Sequence, residues 1–215
     1  FLGWTTIERA GLSHGWCVSV LDWHGGATSR RIAEDIESFD GQTASRWVAA
    51  IRSRQLRHGS GVRVVFLVSS GMNDFGLTVD QHGDALRRMM AHLSARWIAG
   101  GGSPSEVRFV LMTSHDPWMH DPTAHIVALR QRSREIAAER SDAATIDLGA
   151  IPMNPSYYEG GATGSPHLSQ AGYEAMASHI LSALDGSQGD GCAWRWRAGG
   201  SAEIPVDDAG LQPCT

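Results

Sequence analysis

The stretch Val64-Val65-Phe66-Leu67-Val68-Ser69-Ser70-Gly71-Met72-Asn73-Asp74 decides the fold class of this 215-residue chain. Its apolar run has the length of a strand and no polar alternation, which is typical of a strand buried on both faces of a parallel sheet. The residues after the run favour a turn. Because ligands bind beyond the carboxyl ends of the strands in open α/β sheets, this turn is predicted to border a functional site.

Further apolar runs on either side of this stretch alternate with helical patterns. The predicted strands lie near residues 17–23, 63–69, 107–113 and 144–148. Apolar residues at three- and four-residue steps predict helices between them, near residues 1–10, 29–39, 43–56, 78–99, 121–140 and 169–184. Asp121 followed by Pro122 is a typical cap and first position for the fifth helix. Alternation of this kind predicts a parallel sheet in a three-layer α/β/α arrangement.

The composition indicates one globular domain with a short extension. Hydrophobic residues make up 42% of the chain and charged residues 19%, as in globular proteins. Residues 1–185 are predicted to form the domain, and the polar, Gly-rich residues 186–215 a C-terminal extension packed on it. No apolar run approaches the roughly 18 residues that a membrane span needs. All 18 basic residues are Arg and most are scattered, which argues against a nucleic-acid partner.

The three cysteines bear on the compartment. Cys17 lies in an apolar segment and is expected to be a small buried hydrophobic residue. Cys192 and Cys214 bracket the extension and could form a disulfide. Such a bond would imply an oxidising compartment, so the sequence favours a secreted or extracytoplasmic location.

Three polar blocks follow predicted strands or precede the last helix, and together they resemble a known family. They are Gly26-Ala27-Thr28-Ser29, Gly71-Met72-Asn73-Asp74, and Ser165-Pro166-His167 with Gly172 downstream. In this order they resemble the SGNH (GDSL-like) hydrolases, a family of serine esterases and acyl hydrolases. The resemblance covers nearly all of residues 1–185 and implies a flavodoxin-like parallel sheet.

The resemblance also implies the catalytic roles. His167 would remove the proton from a serine hydroxyl, which then attacks an acyl ester. The Gly26 N–H and the Asn73 side-chain amide would stabilise the resulting oxyanion. Water would then release the acyl group, and neither a metal nor an organic cofactor is expected.

Two departures from the family pattern concern the nucleophile and the partner of the histidine. Gly164 stands where the family has the Asp that orients the histidine, so a carbonyl or another carboxylate would have to orient His167, and Glu159 is the nearest acid in the loop. The family's Gly-Asp-Ser block is also missing. Ser13 in Gly11-Leu12-Ser13 follows no apolar strand, so the nucleophile is expected upstream of Phe1.

Aromatic and polar residues near the strand ends suggest the substrate. The predicted substrate contacts are Trp23, His24, Asp74, Trp118 and Tyr157. Aromatic walls suit sugar rings and acyl chains alike. An acetylated carbohydrate ester is therefore the first expectation, and a lipid or small aryl ester the second.

A metal site is the less favoured interpretation of one histidine-rich segment. The segment contains His115, Asp116, His120, Asp121 and His125. Their spacing does not place the three histidines on one helical face, which favours a polar loop lining the cleft. Two other functions stay open: an inactive SGNH-like domain that binds a glycan or protein, and an O-acyltransferase with the same machinery.

Overall fold

The computed structural model describes residues 18–22, 27–38, 41–42, 45–46, 48–49, 52–53, 64–115, 123–152, 154–161, 167–184 and 193–197. The strands are β1 (Val18–Asp22), β2 (Val64–Ser69), β3 (Val107–Met112), β4 (Ala143–Ile146) and β5 (Ala193–Arg197). The longer helices are α1 (Ser29–Ser38), α2 (Val79–Ala99), α3 (Ala124–Ala138) and α4 (Gln170–Leu184). Further helical residues lie between 41 and 53, and short 3-10 turns begin at Asp74, Pro104, Leu148 and Pro155.

Three of the predicted strands form one parallel sheet in the order β2-β3-β4. Ser69 pairs with Met112, and Met112 pairs with Ile146, so the carboxyl ends of the three strands are level. Helices separate these strands along the chain. The protein therefore has a mixed α/β fold with a parallel sheet, as the alternating pattern predicts.

Strand β2 differs from the prediction in its position. The run from Val64 to Val68 predicts burial on both faces, but β2 is an edge strand of the described sheet, since it pairs only with β3. Val65 is accordingly 46% exposed, whereas Val68 is buried. The uniform apolar composition predicts a central strand, but in the described sheet β2 lies at the edge.

The C-terminal extension contributes a strand that the sequence did not predict. Strand β5 pairs in parallel with β1, with Val18 opposite Ala193 and Asp22 opposite Arg197. The sequence of β5 is AWRWR, and its polar, Gly-rich surroundings hid it. The pairing attaches this part of the extension to β1.

Side-chain caps set the starts of α2 and α3. Thr78 accepts a hydrogen bond from the Gln81 N–H while the Gln81 side chain accepts one from the Thr78 N–H, which completes a capping box. Helix α3 begins after Thr123, whose hydroxyl accepts a bond from the Ile126 N–H. The start predicted at Asp121 and Pro122 was wrong, because Thr123 supplies the cap oxygen nearer to the first apolar turn.

Strand β3 packs against two groups of buried side chains. Phe109 and Leu111 belong to one cluster, which includes Leu86, Met89, Met90 and Trp97 of α2. Val110 and Met112, which alternate with them, belong to a second cluster, which includes Met176 and Ile180 of α4. Because successive side chains of a strand point to opposite faces, β3 is covered on both faces.

Several predictions concern residues outside the described part of the chain. They are the helix at residues 1–10 and the three cysteines, Cys17, Cys192 and Cys214. Among the helices that the structure describes, none combines the length and the apolar character that crossing a membrane requires.

Candidate functional site

The turn after β2 brings Asn73 beside the segment that precedes α1. Gly71 has a φ of 100°, a left-handed conformation that glycine adopts without strain. Asn73 follows in an exposed position, and its Nδ2 donates a long hydrogen bond of 3.5 Å to the carbonyl oxygen of Ala27. Gly26, the predicted second donor, immediately precedes Ala27 and lies outside the described residues.

The side chain of Asp74 has no access to solvent. It is 0% exposed, and its carboxylate accepts hydrogen bonds from the Ser29 N–H at 2.7 Å and from the Ser29 hydroxyl. His82 Nδ1 lies 2.7 Å from Asp74 Oδ2. The sequence predicted that Asp74 contacts substrate, but burial and these contacts occupy its oxygens, so in this structure it joins the turn to α1.

His82 extends this contact toward α3. Its Nε2 lies 3.0 Å from the hydroxyl of Ser133, which donates a bond to the Leu129 carbonyl. His82 is 0% exposed and Ser133 4%. We call Ser29, Asp74, His82 and Ser133 the buried polar network. It joins α1, the turn after β2, α2 and α3.

The buried polar network contains a serine, a histidine and an aspartate, but it is not a catalytic triad. In a triad the serine and the aspartate bind opposite nitrogens of the imidazole, so that a proton can pass. Here Ser29 Oγ, at 3.0 Å, and Asp74 both contact Nδ1 of His82. Ser29 is also only 1% exposed. This geometry holds elements together and does not activate the Ser29 hydroxyl.

The network favours the ionised form of Asp74. Burial raises the pKa of the carboxyl, but the hydrogen bonds from His82 and Ser29 and the charge of His82 together lower the pKa below its ordinary value. An ionised carboxylate only accepts hydrogen bonds. His82 Nδ1 therefore carries a hydrogen and donates it to Asp74.

A third contact holds the backbone of the Asp74 turn. His125 Nε2, on α3, lies 3.1 Å from the Asp74 carbonyl oxygen. His125 thus contacts the turn after β2, whereas His120, of the same segment, lies outside the described residues. In the described part of the chain, no group of three or more His, Cys, Asp or Glu side chains could hold a metal ion.

Backbone hydrogen bonds fix the segment that contains His167. The Glu159 N–H donates to the His167 carbonyl at 3.0 Å, and the Ser169 N–H donates to the Tyr157 carbonyl at 2.8 Å. Tyr158 and Leu168 form the antiparallel bridge between these bonds. The side chain of His167 is exposed. The predicted base therefore projects from a well-held backbone.

Gly172 allows α4 to approach this segment. A Cβ at Gly172 would overlap the carbonyl oxygen of Tyr157, so a larger residue would push the two apart. Tyr157 itself is partly buried against the second core cluster. Its burial reduces the aromatic surface that it could offer to a substrate.

Glu159, the candidate partner of His167, is exposed. Burial raises the pKa of the Tyr173 hydroxyl, and the negative charge of Glu159 raises it further. The role of Glu159 toward His167 stays a prediction.

The carboxyl end of β3 holds a second set of buried polar groups. Thr113 donates to Asp147 at 2.7 Å, and Arg134 donates to the other Asp147 oxygen at 2.6 Å. Both carboxylate oxygens of Asp147 are thereby engaged. Ser114 is 5% exposed, and its hydroxyl has no partner among the described residues.

Several predicted site residues cannot be placed by these contacts. Trp23, His24, Gly26, Trp118 and Gly164 lie outside the described residues. Sequence reasoning in turn missed His82 and the inward direction of Ser29. One signal was present for His82: it stands four residues before Leu86 and seven before Met89, and thus on the apolar stripe of α2.

Comparisons with known proteins add no relative. No family model, no curated protein and no solved structure matches this chain.

Proposed function

We propose that the protein is a serine ester hydrolase of the SGNH type that cleaves an acyl ester. The observation that carries the proposal is the contact of Asn73 Nδ2 with the Ala27 carbonyl, across 46 residues of sequence. It joins two of the three polar blocks that resemble the family. The contact brings together the segments that follow β1 and β2, as the resemblance requires of two oxyanion donors.

The accessible groups fit the roles that the resemblance implies. Asn73 is exposed and makes one long hydrogen bond, so its amide can turn toward a developing oxyanion, for which the Gly26 N–H would be the second donor. His167 is exposed on a backbone that Glu159 and Ser169 hold. It accepts the proton of the serine hydroxyl as the oxygen attacks the ester carbonyl, and returns it to the departing alcohol. Water then attacks the acyl-enzyme and releases the acid.

The sheet supports the corresponding flavodoxin-like, three-layer fold. Strands β2, β3 and β4 are parallel, and helices cover both faces of β3. Strand β2 has no partner on its outer edge in the described sheet. A strand carrying the family's Gly-Asp-Ser nucleophile would pair at that edge.

An acetylated carbohydrate is the proposed substrate, with a lipid or small aryl ester as the second choice.

A specific observation favours one other function, an inactive binding domain: Gly164 replaces the acid that orients the histidine. If another carboxylate orients His167 in place of the missing Asp, that carboxylate is Glu159.

The test is the hydrolysis of a panel of acetyl and longer-chain esters by the full-length protein. Asn73→Ala should lower kcat by about 10²–10³, the usual loss for one oxyanion donor. Asn73→Asp should lose as much, because it keeps the shape but cannot donate. His167→Ala should lower kcat at least as much. His92, a partly exposed histidine on α2, supplies the control: His92→Ala should leave kcat unchanged.

The orienting partner of His167 is tested with the same assay. Glu159→Gln should reduce kcat if the carboxylate orients His167, and do little if a carbonyl does. Activity that survives both the Asn73 and the His167 substitutions would place the chemistry elsewhere. Absence of activity on every ester, with an upstream serine present, would favour the binding domain.

A further inference from the structure

The buried polar network lies directly next to Asn73, the predicted oxyanion donor that the structure describes. Asp74 is the neighbour of Asn73, and Ser29 begins the helix that follows Gly26 and Ala27. The Ser29 N–H and hydroxyl both bond to the Asp74 carboxylate. The position of Asn73 relative to the start of α1 is therefore set by one carboxylate and its partners.

We propose that Ser29, Asp74 and His82 are positioning residues that hold the Asn73 amide, relative to the start of α1, where it can stabilise an oxyanion. The inference rests on the proposed function. It adds to that function three residues that contact no substrate and act through Asn73 and the backbone before α1.

His82 decides the orientation of the carboxylate. Its Nδ1 donates to Asp74 Oδ2, while its Nε2 contacts Ser133 on α3. Rotation of the Asp74 side chain would break contacts with both Ser29 and His82. Because all of these groups are at least 95% buried, no water can replace a lost partner without opening the core. The turn thus has one preferred arrangement.

Packing alone would not require such a network. A buried ionised carboxylate and its polar partners stabilise a fold no better than apolar side chains of the same shape. They do fix direction, because each hydrogen bond has a narrow geometry. A misplacement of about 1 Å in a catalytic group can cost about 10² in rate, so this precision has value at an oxyanion hole.

The test compares kcat, KM and thermal stability for His82 variants of the full-length protein. His82→Leu removes both ring nitrogens and should lower kcat by up to about 10² with little change in KM. His82→Asn places an amide donor near the position of Nδ1 and should recover most of the lost kcat. This variant also keeps the test decisive if His82→Leu fails to fold.

Met90→Ala is the matched control, because Met90 is equally buried on α2 but belongs to the apolar core. It should lower the melting temperature as much as His82→Leu and leave kcat unchanged well below that temperature. If His82→Leu also leaves kcat unchanged and only lowers the melting temperature, the network is structural and the proposal is wrong.

A double-mutant cycle separates this proposal from the proposed function. If His82 acts through Asn73, adding His82→Leu to Asn73→Ala should cost no more than about twofold beyond Asn73→Ala alone. Full additivity of the two losses would overturn the positioning role while the esterase function stands. A wild-type protein that hydrolyses no ester, with its nucleophile present, would instead overturn the proposed function and with it this inference.

Discussion

At the scale of single residues, the candidate site depends on side chains that face away from it. Asp74 follows the exposed Asn73 directly, yet it is fully buried and bonded to Ser29 and His82. The exposed residue offers a hydrogen-bond donor, and the buried one determines where that donor lies. Two adjacent residues of one motif thus have opposite surroundings and different roles.

Gly71 allows a prediction about the turn that carries both residues. Its φ of 100° strains any residue with a Cβ, although the nearest atom to such a Cβ, in His82, lies at an ordinary 3.5 Å. Gly71→Ala should therefore lower the free energy of unfolding by about 1–3 kcal/mol through backbone strain alone. Urea unfolding at neutral pH measures the change.

Gly76 supplies the control for this substitution. It lies in the same turn, has no positive φ, and leaves open space around an added Cβ. Gly76→Ala should leave the free energy of unfolding unchanged or raise it by up to about 1 kcal/mol, because alanine restricts the unfolded chain. Equal losses at Gly71 and Gly76 would contradict the strain argument.

At the scale of elements, the first turn of α4 and the segment from Asn154 to Gly161 form one unit around His167. Gly172→Ala should destabilise this unit, because the added Cβ would overlap the Tyr157 carbonyl. The gain in helix propensity of about 1 kcal/mol does not offset a clash with backbone. We expect a lower melting temperature and a lower kcat, since the His167 backbone must move.

Ala171→Ser is the matched control, at an exposed position beside Gly172 on the same helix. It should change neither the melting temperature nor kcat appreciably. If Gly172→Ala kept full activity and stability, the close approach of α4 would have no role in placing His167.

At the scale of the whole molecule, ionised carboxylates link stability to pH. Burial raises the pKa of Asp74, Glu106 and Asp147, but hydrogen bonds and nearby charges outweigh it and lower each pKa below its ordinary value. The hydrogen bond and the charge of Arg140 likewise lower the pKa of Asp142. A lowered pKa in the folded state means that the unfolded chain binds protons first as the pH falls. Stability should therefore be full above the ordinary carboxyl range and decrease as the pH falls through the lowered values.

Asp74 is the most buried of these carboxylates, so Asp74→Asn tests the link between ionisation and stability. The variant should be less stable than the wild type at pH 7, and the difference should shrink as the pH falls below about 5, because the wild type loses its ionised carboxylate. Urea unfolding across this range measures both slopes. Asp84→Asn, at a side chain that is 70% exposed, should follow the wild-type slope. A constant difference between Asp74→Asn and the wild type would show that ionisation is not the cause.

The sequence predicted the parts of the molecule that local patterns determine. Strand β2 follows from an apolar run and β3 from one that only Arg108 interrupts, and the start of α2 follows from Thr78 and its apolar stripe. The partners of Asp74 could not be predicted, because Ser29 lies 45 residues away and its direction depends on how α1 packs. Strand β5 was missed since its surroundings are polar and Gly-rich, and its pairing with β1 depends on a contact distant in sequence.

The edge of β2 has a practical consequence for handling the protein. The described sheet leaves one side of this apolar strand unpaired, with Val65 46% exposed. Unpaired backbone groups on such a strand are a template for the same strand of another copy. Preparations of this chain should therefore self-associate as its concentration rises, which light scattering would detect. Val65→Arg should suppress the association without disturbing the pairing with β3.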